Sequence, residues 1–104
     1  MIQITARGGV VPPYIKEKIT ERAAKLDQFY GRILGCRVTV EAPKLRQTFN
    51  LKIKLKVPGT QLVVSRESRH DLEGAVHAAF DAAARQLEDY ARRRRGEVKR
   101  HAAI

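Results

Sequence analysis

Positive side chains are the residues of this 104-residue sequence whose number and spacing can do chemistry. Lys18, Arg22 and Lys25 stand four and three apart, so a helix would align them as one ridge, about 100° around from its apolar stripe. Residues 85 to 100 carry Arg85, Arg92, Arg93, Arg94, Arg95, Lys99 and Arg100 against only Glu88, Asp89 and Glu97. Lys44, Arg46, Lys52, Lys54 and Lys56 follow one another with no acid among them. Such groups make charge-assisted hydrogen bonds to phosphate and carboxylate oxygens. One basic ridge on a neutral domain is commonly no more than a solvated face. Here 21 Lys plus Arg face 11 Asp plus Glu, giving a net charge of +10 and a pI near 10.4. That balance is the electrostatic footprint of a nucleic-acid binder.

Other chemistries find less support. His70, His77 and His101 include no pair spaced three or four apart, and Cys36 stands on a different element, so no metal site is expected. A single cysteine excludes an intramolecular disulfide. Cys36 falls on the apolar side of its segment, where a buried, inert thiol is expected. Glu67, Asp71, Glu73 and Asp81 are accounted for by capping and surface roles. Gly8-Gly9 lacks the longer glycine spacing of a phosphate cradle and is read as a turn. No nucleophile stands with a base, so neither enzyme activity nor a cofactor is expected. Phe49, Phe80, Tyr14 and Tyr90 fall on apolar stripes, which argues against a base-stacking platform. Binding should therefore act on phosphates and RNA shape. The N-terminus lacks the apolar run of a signal peptide, and no stretch nears the ~18 apolar residues of a membrane span. A soluble, cytoplasmic domain is expected.

These side chains need elements to position them. The chain is long enough for one domain, burying roughly 65% of its unfolded surface. Ile2-Gln-Ile-Thr-Ala6 alternates as a half-buried strand. Pro12 and Pro13 suit a helix start. Ile15, Ile19, Ala23, Leu26 and Tyr30 then mark one helical stripe over residues 14–30, with Gly31 placed to end it in a left-handed conformation. Cys36, Val38 and Val40 alternate as a second strand, and residues 42–46 make a turn region. Phe49, Leu51, Ile53, Leu55 and Val57 alternate with Asn50, Lys52, Lys54 and Lys56, giving a third strand with an apolar and a cationic face. Pro58-Gly59 turns it into a fourth strand over residues 61–67. Ser68-Arg-His-Asp71 has capping-box spacing. A second helical stripe runs through Leu72, Ala75, Val76, Ala79, Phe80, Ala83, Leu87 and Tyr90, to about Arg95, where Gly96 can stop it. The expected fold is α+β in the order β-α-β-β-β-α. It is a four-stranded mixed sheet with two helices packed on one face. Residues 1–95 form the domain and 96–104 a short basic tail.

The ordered set resembles the ribosome hibernation factor family, whose members include hibernation-promoting factor and the ribosome-associated inhibitor and are also called ribosomal subunit interface proteins. The likeness covers residues 1 to about 95. It is carried by Ile2-Gln-Ile-Thr, by Ile15-Lys-Glu-Lys-Ile-Thr-Glu-Arg-Ala-Ala-Lys-Leu26, by Lys56-Val-Pro-Gly59, by Asp71-Leu-Glu-Gly-Ala-Val, and by Asp81 with Arg85-Gln-Leu87. The resemblance implies a fold akin to double-stranded-RNA-binding domains and a non-enzymatic role. The protein would sit on the small ribosomal subunit, in the channel for messenger and transfer RNA, and inhibit translation during starvation or stationary phase. It implies ribosomal RNA, and the whole ribosome, as partners. Arg22 and Lys25 match basic positions of the family's first helix, and Arg85 one on the second. Ala82, Glu73, His77 and Asp89 depart from the family pattern of that helix. The sequence corresponds to a short form, so ribosome dimerisation would call for a second factor.

The expected RNA contacts are thus Lys18, Arg22, Lys25, Arg85, Arg92, Arg93, Arg94 and Arg95, with Lys52, Lys54 and Lys56 as a second tier. The alternative is a general double-stranded-RNA-binding module without a ribosomal target.

Overall fold

Alternation writes the sheet. The computed structural model describes residues 2–7, 11–41, 48–68 and 71–103, with side chains through residue 94 in the last stretch. Strand β3 spans Phe49–Val57 and buries Leu51, Ile53, Leu55 and Val57 on one face, leaving Lys52 and Lys56 exposed on the other. Strand β2, Gly35–Glu41, does the same with Cys36, Val38 and Val40 inward. Strand β1, Ile2–Arg7, pairs parallel to β2, with Ile4 opposite Val38. Strand β4, Thr60–Ser68, returns antiparallel to β3 with Val64 opposite Ile53. The sheet order is β1-β2-β3-β4. Gly59 takes φ +85° in the β3–β4 turn, where an L side chain would be strained.

Helix α1, Pro13–Phe29, buries Ile15, Ile19, Ala23 and Leu26, the stripe expected from the sequence. Pro12 is its N-cap, and its carbonyl accepts from the Ile15 and Lys16 amides. Its end differs from expectation. Tyr30 leaves the helix in an extended conformation, its amide donating to the Leu26 carbonyl at 2.9 Å, and Gly31 is not left-handed. A Tyr30 ring that packs edge-on against Tyr90 needs that departure, and the extended backbone supplies it.

Helix α2, Leu72–Ala103, also differs at both ends. Ser68 belongs to β4, and Asp71 itself caps the helix: its Oδ1 accepts from the Glu73 amide at 3.0 Å and its carbonyl from the Ala75 amide. An Asp accepting from the amide two residues on is a direct N-cap, which leaves the expected box with no first member. Gly96 does not stop the helix, whose backbone runs through it into the residues read as a tail. Glycine in a helix interior costs only about 1 kcal/mol relative to Ala, too little by itself to compel a break.

One core lies between the sheet and both helices, with Phe80, Ile15, Ile19, Leu51, Ile53, Leu55 and Leu87 its largest fully buried side chains. Phe49 is half-buried, whereas Tyr14, expected on an apolar stripe, is 58% exposed. Tyr14 precedes Ile15 by one position, a 100° rotation that carries it off the buried face. The turn reading for Gly8-Gly9 and for residues 42–46 lies outside the described residues.

Candidate nucleic-acid interface

The two helices lie side by side and run in the same direction. Two contacts fix their register: Arg22 with Asp81 near the middle, and Tyr30 with Tyr90 at the far end. Arg22 is the ridge residue closest to the apolar stripe of α1, and it is half-buried while Lys25 is exposed. Its Nη2 donates to Asp81 Oδ1 at 2.6 Å. Lys18 and Lys25 stand one turn to either side of Arg22 on the same ridge, Lys18 half-buried. Arg85 follows Asp81 by one turn of α2 and is exposed at the level of Lys25. By that register Lys18, Arg22, Lys25 and Arg85 fall along the groove where the two helices meet, with Asp81 the carboxylate that pairs with Arg22. Glu21 flanks the solvent side of the ridge and forms no ion pair within 4 Å among the described residues.

The C-terminal arginines are placed otherwise. Arg92 donates to Glu88 at 2.6 Å and Arg93 pairs with Asp89 at 3.1 Å, each an i,i+4 pair along α2. Arg94 turns back toward the sheet. Its Nη1 donates to the Pro58 carbonyl at 3.1 Å and to the Tyr90 hydroxyl, and its guanidinium lies 5.6 Å from the Tyr90 ring centroid. The Tyr90 hydroxyl donates to the same Pro58 carbonyl. Arg94 and Tyr90 thus tie α2 to the β3–β4 turn, a positioning role that the run of four arginines did not announce. The Arg95 side chain lies outside the described ones.

Lys52, Lys54 and Lys56 project from the open face of the sheet, away from the groove. Arg37, absent from the sequence-based set, joins them: the β2–β3 register puts it directly opposite Lys54. The alternation of β2 gave its face, but nothing in the sequence gave its partner. Cys36, on the other side of β2, is 8% exposed, and burial pushes its thiol up from 9.0 to about 11. Such a thiol stays protonated and unreactive near neutral pH. His77 lies 3.8 Å from Glu73, a surface pair on α2, while His70 and the His101 side chain are outside the described residues. No helix among the described residues is long and apolar enough to cross a membrane.

Fold and surface together define a class: a small, strongly basic α+β domain with its two helices on one side of a mixed four-stranded sheet and cations on both sides. Within that class the chain belongs to the family described as sigma 54 modulation protein / S30EA ribosomal protein, whose model matches residues 2–95. Among solved structures it is similar to a ribosomal subunit interface protein from Coxiella burnetii, at TM-score 0.78 and 20% identity over 86% of this chain and 96% of that one. It is also similar to the Protein Y N-terminal domain of Thermus thermophilus, at TM-score 0.74 and 20% identity over 85% and 94% of the two chains. At that identity the likeness is one of fold. No curated protein sequence matches the chain significantly.

Proposed function

We propose that this chain is a ribosome hibernation factor, a non-enzymatic protein that occupies the messenger and transfer RNA channel of the small ribosomal subunit and inhibits translation during starvation or stationary phase. The observation that carries this reading is membership of the S30EA ribosomal protein family over residues 2–95, with a solved relative of the same fold named as a ribosomal subunit interface protein. The groove between α1 and α2 supplies the physical means. Arg22, Lys25 and Arg85 present donors that suit phosphate oxygens, with Lys18 beside them. The mechanism is steric: a folded domain held by phosphate contacts excludes the RNAs that would otherwise pass. It acts in the cytoplasm, where ribosomes translate.

Arg22 enters this mechanism already partnered. Asp81 holds the guanidinium in the groove, and exchange of that carboxylate for an RNA phosphate retains a charge-assisted bond throughout. Arg92 and Arg93, which are exposed, carry their acids with them, so their contribution to the field is nearly cancelled locally.

The test is occupancy. Small subunits saturated with the chain should fail to accept messenger RNA and initiator transfer RNA, and bulk duplex RNA should not compete the chain away. Free acceptance of both RNAs overturns the proposal. Efficient competition by duplex RNA would point instead to a general double-stranded-RNA binder.

A further inference from the structure

The face of the sheet turned away from the helices is not uniform. Its outward side chains form four rows across the strands. At one end Arg7, Glu41, Asn50 and Glu67 align, with Arg7 3.9 Å from Glu41. Next come Thr5, Thr39, Lys52 and Ser65, then Gln3, Arg37, Lys54 and Val63, and last Gly35, Lys56 and Gln61. Both carboxylates of the described face thus stand in the first row, and the cations gather toward the opposite end.

At that end Gly35 has no side chain to fill its place in the row. An open notch of about 310 Å³ results, lined by Gln3, Gly35, Arg37, Lys54, Lys56 and Gln61 among others. Arg37 and Lys54 are directly opposite each other on adjacent strands. Like charges so placed oppose pairing, and among the described residues neither they nor Lys56 has a carboxylate within 4 Å. Arg37 is aimed rather than loose, because its Nε donates to Gln3 Oε1 at 3.2 Å and leaves the two Nη groups of the fork to point onward. Lys52, Lys54 and Lys56 continue the positive line at about 7 Å intervals along β3.

We infer that this notch is a second RNA-backbone site, in which Arg37, Lys54 and Lys56 hold a phosphodiester over Gly35. Charge complementarity commits the occupant: an unrelieved cluster of a forked guanidinium and two ammonium groups fits an oxyanion with several acceptors. A bound phosphate also removes the like-charge opposition across the β2–β3 pair. Gln3 is a positioning residue, acting through Arg37. The site deepens the proposed function and rests on its RNA-binding part alone. Because the notch and the α1–α2 groove lie on opposite sides of the sheet, one chain can hold two separate segments of RNA.

The isotope-labelled full chain titrated with hexauridylate, which cannot form a duplex, tests the seat directly. The largest amide shifts should fall at Gly35, Arg37, Lys54 and Lys56, and R37Q/K54Q should abolish them while keeping the wild-type melting temperature. Gln3→Ala should weaken them two- to fivefold, and R37K should restore less than half of the affinity lost in R37Q. Shifts confined to α1 and α2, or equal shifts with hexaglutamate, would overturn the assignment. On small subunits, R37Q/K54Q/K56Q should reduce the slope of log affinity against log salt by about 1, the share of one phosphate, and an unchanged slope also overturns it. If the wild-type chain failed to bind small subunits at all, the ribosomal reading would fall and the hexauridylate titration would still decide this one.

Discussion

The helical groove and the open sheet face are both cationic, yet they are built by different means. In the groove, positive charge is placed beside the core and partly answered. Arg22 is half-buried against Asp81, with Lys18, Lys25 and Arg85 around the pair. On the sheet, positive charge stands in rows with its acids segregated to one end. The first arrangement orders its central cation before any ligand arrives, which lowers the entropy that binding must remove. The second holds Arg37 through Gln3 but surrounds it with long ammonium groups, strong in field and poorer in geometry. A pre-ordered arginine suits specificity of position, and a line of lysines suits a general hold on polyanion. A third set of cations, Arg92 to Arg94, is engaged within the chain, the first two with acids one turn earlier and the last with the β3–β4 turn.

That contrast can be broken by charge reversal. The largest expected effect is on R22E/K25E/R85E, which should weaken small-subunit binding by at least about a hundredfold, since three phosphate contacts become repulsions. K52E/K54E, on the opposite face, should cost about tenfold and lower the salt slope. Equal losses on the two faces would erase the distinction between them. Removal of the hairpin tie should act on stability instead. Tyr90→Phe deletes the hydrogen bond to the Pro58 carbonyl and should lower unfolding free energy by about 1 kcal/mol, with subunit affinity unchanged. A loss of affinity without a loss of stability would return Arg94, which packs on Tyr90, to the RNA surface. Smaller still, Asp81→Asn removes the carboxylate paired with Arg22 and should tighten binding two- to fivefold at low salt. Weaker binding would mean that ordering Arg22 matters more than the charge removed.

Cys36 gives a pH signature that leaves both surfaces untouched. Its thiol titrates at about 11 in the folded chain against an ordinary value of 9.0. The raised value means that its contribution to stability is complete below pH 9 and is lost as pH rises through 11. Alkylation by iodoacetamide at pH 8 should be many times slower in the native than in the denatured chain. Equal rates would place the thiol at the surface.

Much of this architecture was legible because side-chain period is a local property. The five alternating apolar residues of β3 and the four-four-three spacing of α1 each specify an element and its buried face without reference to the rest of the chain. Ends of elements were less legible. Ser68 and Asp71 both suit a cap, and only the reach of β4 decides between them. Gly31 and Gly96 permit a break but do not compel one, so Tyr30 ends α1 early and α2 continues. The site divides in the same way. The ridge of Lys18, Arg22 and Lys25 follows from helical spacing, whereas its partner Asp81 lies 59 residues away. Arg37 stands outside the sequence-based set because its place opposite Lys54 is a matter of register, which strand alternation does not encode. For the arginine run, composition records charge but not the acids one turn earlier that pair with Arg92 and Arg93 on the same helix.

The account stands on an electrostatic grip of ribosomal RNA, and the salt dependence of wild-type binding to purified small subunits measures that grip most directly. With about six phosphates engaged, affinity should fall roughly a thousandfold between 50 and 200 mM salt, as a straight line in log affinity against log salt. An affinity that holds nearly constant over that range would contradict it.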